Sequence, residues 1–171
     1  VMDSVRLPAE AVLPGVIGMR GPLSCLNEAR FGISFGACGA ARACYEAALA
    51  YAGERVQFDR PIAGFQLTQR KLVEMMIKVQ RGTLVALHIG RRKDAGTLAT
   101  PQISFAKKDN VAMALEVARD ARSVLGANGI TTEYPVIRHM NNLESVYTYE
   151  GTNEVHTLIL GEAITGLSAF S

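Results

Sequence analysis

The sequence predicts an all-α fold: an antiparallel bundle resembling a four-helix bundle, with a short strand remnant ahead of it. Three observations carry that expectation. Apolar residues recur at helical spacing over three long stretches, glycine, proline and threonine punctuate the chain where helices must stop and start, and the joining segments are short. Composition agrees, since 49% hydrophobic and 20% charged residues in a chain of 171 suit one domain with a real core.

The elements follow in order. Asp3-Ser4-Val5-Arg6-Leu7 is strand-like, and Pro8, Pro14-Gly15 and Pro22 break the chain after it. A lone strand has no partner for its backbone hydrogen bonds. Residues 1–21 are therefore read as a sheet edge cut from something larger, and 22–171 as the helical domain. Residues 23–54 form one long helix, with Leu26, Ala29, Ile33, Gly36 and Ala40 at helical intervals. Gly32, Gly36, Gly39, Ala40, Ala43 and Ala47 are expected to let a neighbour pack tightly there, because each interior glycine otherwise costs about 1 kcal/mol against alanine.

The segment from Gln57 through Asp59-Arg60-Pro61 to Gly64 breaks this helix, and residues 65–95 resume it. Leu67, Leu72, Met75, Met76, Val79, Leu84 and Leu87 mark its apolar positions. Gly96 ends the second helix, Thr100 caps the third, and Pro101 takes the first helical position, where its missing N–H costs nothing. The third helix runs to about Leu125 and stops at Gly126-Ala127-Asn128-Gly129. Pro135 opens a stretch to about Ser145, and a last helix covers 152–166, with Val155, Leu158, Ile159 and Ile164 approximating one face.

Between those last two helices lies the most informative segment, Tyr149-Glu150-Gly151-Thr152. Gly151 lets the chain turn sharply, and Thr152 or Asn153 can cap the helix that follows. A carboxylate on such an elbow is held by the scaffold yet can project into a cavity, so Glu150 is the candidate general base. Glu154 is the rival acid, but an acid in a first helical turn is expected from the helix dipole alone.

Charge and cysteine usage exclude other classes. Lys and Arg number 18 against 16 acids, a net charge of +2 with the signs interleaved, so no nucleic-acid partner is expected. The apolar run 37–52 is interrupted by Arg42 and Glu46, so no membrane span is expected, and with no signal peptide the protein is read as soluble and intracellular. Cys25, Cys38 and Cys44 lack CxxC spacing, and His88, His139 and His156 lack ligand spacing. No metal site is expected, and the histidines are assigned to packing or surface.

Three separated motifs, in order, resemble the C-terminal domain of the acyl-CoA dehydrogenase family over nearly the whole chain. Arg55-Val56-Gln57-Phe58-Asp59-Arg60-Pro61 with Phe65-Gln66 resembles the family's Arg-x-x-Phe-Gly-x-Pro segment and its downstream Gln. Leu125-Gly126-Ala127-Asn128-Gly129 resembles its Gly-Gly-Asn-Gly turn, and Tyr149-Glu150-Gly151-Thr152 its catalytic elbow. The stretches 25–33, 136–139 and 158–166 are similar to the family's glutaryl-CoA branch, with a short-chain acyl-CoA dehydrogenase or a non-catalytic oligomerising bundle as alternatives.

The resemblance implies an FAD-dependent oxidation of an acyl-CoA between Cα and Cβ. Glu150 would take the α proton, the β hydride would pass to flavin N5, and electron-transferring flavoprotein would be the acceptor. In the glutaryl branch the product would be crotonyl-CoA plus CO2. Arg55, Phe58, Gln66, Ser123, Val124, Leu125, Gly126, Ala127, Thr152 and Phe170 would bind cofactor. Asn27, Arg30, Tyr149 and Gly151 would bind substrate. Arg55, Gln66 and the glycine turn would serve a neighbouring subunit's flavin, implying a homo-oligomer, a tetramer in this family. The compartment would be the cytoplasm of a bacterium or the mitochondrial matrix of a eukaryote. Alone, this chain is expected neither to retain FAD nor to turn over. Three positions depart from the family pattern: Asp59 for Gly, Ala127 for the second Gly of the turn, and Ser123 for a common Gln.

Overall fold

The computed structural model describes residues 1–169. Among them are five α-helices: α1 (Arg20–Glu54), α2 (Gln66–Asp94), α3 (Thr100–Leu125), α4 (Val136–Thr148) and α5 (Asn153–Thr165). A two-residue hairpin, β1 (Val56–Gln57) with β2 (Arg60–Pro61), joins α1 to α2. α3 is the central helix and touches each of the other four.

Cross-helix contacts fix the directions. Lys78 on α2 pairs with Glu116 at 3.0 Å and Asp120 at 3.6 Å, and Lys71 donates to the Ser123 hydroxyl at 2.6 Å, so α2 runs against α3. Asn110 of α3 meets Ser34 of α1, and Asn128 just beyond α3 donates to Tyr51 Oη at the far end of α1, so α1 and α3 run together. The bundle is therefore up-down-up-down through α4.

Its centre is a polar staple. Asn110, fully buried, donates through Nδ2 to the carbonyls of Ser34 on α1 at 3.0 Å and Gly82 on α2 at 3.1 Å. Three helices meet there because Gly82 has no side chain. A Cβ at Gly82 would lie 2.5 Å from Met113 Cε and 3.0 Å from Asn110 Oδ1. Around the staple, small buried residues of α1 (Ala37, Ala41, Cys44, Ala48, Ala52) pack on Val111, Ala114, Leu115 and Ala118 of α3.

Several sequence expectations change here. Residues 3–7 form no strand and are exposed, since the chain offers them no partner to pair with. The tight seam of α1 is not the glycine set. Gly32, Gly36 and Gly39 have nothing within 4 Å of a notional Cβ, whereas Ala37, Ala41, Cys44 and Ala48 are buried. The α2 core is Leu72, Met75, Val79, Gly82, Ala86 and Ile89, while Leu67, Met76, Leu84 and Leu87 are exposed. α2 therefore carries two apolar faces, and the chain itself covers one.

The third helix is capped one residue earlier than expected, at Ala99, whose N–H donates to Gln102 Oε1 at 2.9 Å. The Thr100 hydroxyl accepts instead from Asn27 Nδ2 at 3.4 Å. In α5 only His156 is buried, and Ile164 is exposed. The Thr152 cap is as read, with its hydroxyl accepting from Val155 N–H at 3.3 Å. No described helix is long and apolar enough to cross a membrane.

Replacing Asn110 with Ala removes two buried hydrogen bonds and leaves a void where three helices meet. We expect a loss of about 2–3 kcal/mol, read as a lower urea midpoint at unchanged slope. An unchanged midpoint contradicts the staple.

Candidate functional site

The site is built around three successive carbonyls that no helix satisfies. The last amide bond of α4 is Tyr149 N–H to Ser145 O, and α5 begins its ladder with His156 N–H to Thr152 O. Tyr149, Glu150 and Gly151 lie between, and their carbonyls are filled by two cations from other helices. Lys107 Nζ of α3 donates to Tyr149 O at 3.1 Å and Gly151 O at 2.8 Å, and Arg30 Nε of α1 donates to Glu150 O at 2.8 Å. Both side chains are buried, Lys107 to 1% and Arg30 to 7% exposure. Hydrogen bonds from charged donors contribute roughly 1.5–3 kcal/mol each, which offsets part of the cost of burying the charges.

The backbone explains the residue types. Glu150 has φ 55° and Gly151 φ 87°. At Gly151 a Cβ would lie 3.1 Å from Arg30 Nη2 and 3.2 Å from His156 Nε2, so glycine is required by both conformation and space. Glu150 has a Cβ and sits in the left-handed region all the same, so its conformation is held by its surroundings. Its Oε2 is buried and has no hydrogen-bond partner. A carboxylate oxygen left unpaired can still accept a proton from a ligand.

Burial shapes the neighbours. The Lys107 ammonium is pushed down to about 8, first by burial and then by Arg30, with Glu150 opposing. His156, fully buried against the elbow, is pushed down to about 4 by burial, then by Lys107 and Arg30. The Glu150 backbone opposes that shift, although neither imidazole nitrogen reaches a partner in hydrogen-bonding geometry. The imidazole is a neutral packing group, which matches its assignment from sequence.

An apolar groove of about 320 Å³ runs from the elbow between α1 and α4. Ile33, Gly36 and Ala40 form one wall, Leu143 and Val146 the other, and Tyr149 stands at one end. The glycines of α1 that pack against nothing thus border a groove at Gly36.

The remaining sequence-derived residues gather at the opposite end of the bundle. Arg55 caps α1, Phe58 tips the hairpin, Gln66 starts α2, and Ser123 through Ala127 end α3. Arg55, Phe58, Gln66, Ser123, Gly126 and Ala127 are exposed, Val124 is half-buried, and Leu125 is in the core. Leu125 can therefore offer only its backbone to a ligand. Phe58 and Asp59 have φ of 51° and 63°, which explains the preference for Gly at position 59. Ala127 is not at positive φ, so it replaces a glycine without strain, whereas Gly126 has φ 60° and a Cβ on Gly129 would strike Arg122 O at 2.5 Å. Phe170 lies outside the described residues.

Asn27 is half-buried and bonded to Thr100, and Arg30, read as a substrate contact, has its Nε engaged with the elbow. Sequence reading missed Lys107, Asn110 and Ser34. A buried lysine inside an apolar helix has no periodic signature, and Lys107-Lys108 reads as a solvated pair. Among the described residues no cluster of His, Cys, Asp or Glu could hold a metal ion.

Fold and site together define an all-helical domain whose elbow carries a buried, unpaired carboxylate oxygen next to the residue that ends an apolar groove. The model of the acyl-CoA dehydrogenase C-terminal domain matches residues 17–165, and the chain belongs to that family. It is 34% identical over 162 residues to the glutaryl-CoA dehydrogenase of Desulfococcus multivorans, covering 93% of this chain and 41% of that protein. The crystal structure of glutaryl-CoA dehydrogenase from Mycobacterium smegmatis superposes with a TM-score of 0.98 at 64% identity, over all of this chain and 44% of that one. A second glutaryl-CoA dehydrogenase structure from that organism, in complex with FADH2, gives 0.97 at 54% identity, over 100% of this chain and 44% of the other. The chain thus spans less than half the length of these relatives.

The His156 shift has a definite sign. Its folded value lies below the ordinary 6.5, so the unfolded chain takes up the proton first as pH falls. This contribution is fully present above pH 6.5 and is lost as pH drops to about 4, by up to about 3 kcal/mol. We expect His156→Leu to lose less stability than wild type over that window in thermal melts. Parallel profiles contradict a buried neutral imidazole.

Proposed function

We propose that the full-length protein carrying this chain is an FAD-dependent acyl-CoA dehydrogenase of the glutaryl-CoA type, converting glutaryl-CoA to crotonyl-CoA and CO2. The observation that carries the reading is the Glu150 carboxylate, unpaired and held on a clamped elbow beside an apolar groove. The groove suits an acyl chain, with Tyr149 against it and Gly151 close to the thioester. Glu150 takes the α proton, which the thioester carbonyl acidifies only when substrate is aligned and water is excluded. A bound flavin would supply the acceptor for the hydride leaving Cβ.

The far end suits the dinucleotide. Arg55 is exposed and makes no ion pair among the described residues, so its guanidinium is available for a diphosphate. Phe58 is 86% exposed, its ring meeting that of Phe65 edge-on at 6.2 Å, and Gln66 follows Phe65 in the chain. Along α1, however, Arg30 and Arg55 are separated by about 37 Å at 1.5 Å per residue, longer than one extended flavin dinucleotide. The two ends therefore serve different cofactors, as in a homo-oligomer whose subunits complete each other's sites, and a tetramer is our reading. The uncovered apolar face of α2, with Leu84 and Leu87 exposed, supports self-association. Thr152 would contact flavin and Asn27 the CoA portion; electron-transferring flavoprotein is the proposed acceptor. The compartment is the cytoplasm in a bacterium and the mitochondrial matrix in a eukaryote. A short-chain substrate is the second reading, favoured by a groove lined by no Lys or Arg, where burial and then Arg138 push the His139 imidazole below its ordinary value.

The test is flavin absorbance of the full-length protein under anaerobic conditions, with and without Glu150→Gln. Glutaryl-CoA should bleach the wild type at least about 10³-fold faster than the variant. Bleaching by butyryl-CoA alone moves the substrate to the short-chain class, and equal bleaching in the variant removes Glu150 as base.

A further inference from the structure

We propose that Lys107 is the positioning residue of the elbow: by gripping the carbonyls on both sides of Glu150 it holds that residue in its left-handed conformation and so governs the rate of proton abstraction, with little effect on substrate binding. The inference rests on Glu150 being the base. Its geometric part stands independently.

Lys107 projects from the second turn of α3 into a region where Ile103, Ala106, Val111 and Ala114 are buried and the only other buried polar side chains of that helix, Ser104 and Asn110, are neutral. A methionine would fill similar volume there without a desolvation cost, so an ammonium with 1% exposure needs a polar task. That task is visible in its two bonds, to Tyr149 O at 3.1 Å and Gly151 O at 2.8 Å. One donor group bridging residues on either side of Glu150 closes the backbone into a tight arch. Arg30 takes the carbonyl between them from the other side. With Lys107 removed, two carbonyls lose their partners, and Glu150 is free to leave a φ of 55° that its Cβ disfavours.

The groups facing Lys107 are Arg30 from α1, Glu150 from the elbow and His156 from α5; Lys108 adjoins it on its own helix. His156 stays neutral above about pH 4, and Lys107 titrates in the working range, at about 8. Losing its charge weakens both carbonyl bonds, which are stronger when the donor is ionised. The clamp therefore loosens as pH rises through about 8.

The experiment uses the flavin-loaded full-length protein as wild type, Lys107→Met and Lys107→Arg. We expect Lys107→Met to lower kcat by about 10- to 100-fold, the scale of a misplacement near 1 Å. KM for the acyl-CoA and flavin content should stay within about threefold. Lys107→Arg should recover most of kcat and shift the alkaline limb of the kcat profile upward, because guanidinium does not titrate there. Amide exchange at Gly151 and Thr152 should quicken at least about tenfold in the Met variant while the α3 core stays protected. Unchanged kcat with unchanged exchange, or kcat and flavin content falling together with general loss of protection, overturns the proposal. If no acyl-CoA reduces the wild-type flavin, the functional reading fails, and the exchange comparison still decides whether Lys107 holds the elbow.

Discussion

Two buried cations holding three consecutive carbonyls are the constraint on which the site depends. Backbone carbonyls removed from water need partners, and the turn between α4 and α5 leaves those of residues 149 to 151 without helical ones. Arg30 and Lys107 supply them from two separate helices, so the elbow is placed by the relative height of α1 and α3. That height is fixed nearby. Asn110 lies one turn from Lys107, Ser34 one turn from Arg30, and Asn110 bonds the Ser34 carbonyl at 3.0 Å. The staple that joins the bundle is thus also the ruler for the site, and the lack of a side chain at Gly82 lets the third helix join it.

The bundle separates two kinds of work along its length. The elbow end is charged and held in conformation by two buried cations, with one buried carboxylate oxygen left without a hydrogen bond. The opposite end is an exposed ledge of hairpin, helix start and glycine turn, offering a guanidinium, an aromatic ring and backbone groups. In the function proposed here a helix as long as α1 keeps those ends too far apart for one cofactor, and self-association through uncovered apolar surface, such as the outer face of α2, would reconcile one chain with two half-sites.

Much of this was legible in the sequence, for reasons that also mark where legibility stopped. Helix ends at Glu54, Leu125 and Thr152 follow from local chemistry of glycine, proline and capping threonine, and the structure keeps them within a residue or two. The elbow was legible because a carboxylate before glycine and a cap is a local pattern. Phase was harder. In α1 nearly every position is small or apolar, so the seam along Ala37, Ala41, Cys44 and Ala48 could not be told from the glycine set beside it. In α2 apolar residues exceed what one face needs, and periodicity cannot say which set meets the chain's own core. The strand expected at residues 3–7 needs a partner that these residues do not provide. Lys107 was invisible for a different reason: its role depends on carbonyls more than forty residues away, and only folding brings them together.

In the proposed assembly the carboxylate end of one subunit works with the ledge of another. The direct measurement is subunit mixing in the full-length protein, combining a Glu150→Gln subunit with an Arg55→Glu subunit, each inactive by itself. Random pairing should restore about a quarter of the wild-type rate, because in each mixed pair one site unites an intact Glu150 with an intact Arg55. A mixture that forms hybrid oligomers yet stays inactive would show that each chain supplies both groups to its own site, and would contradict the account.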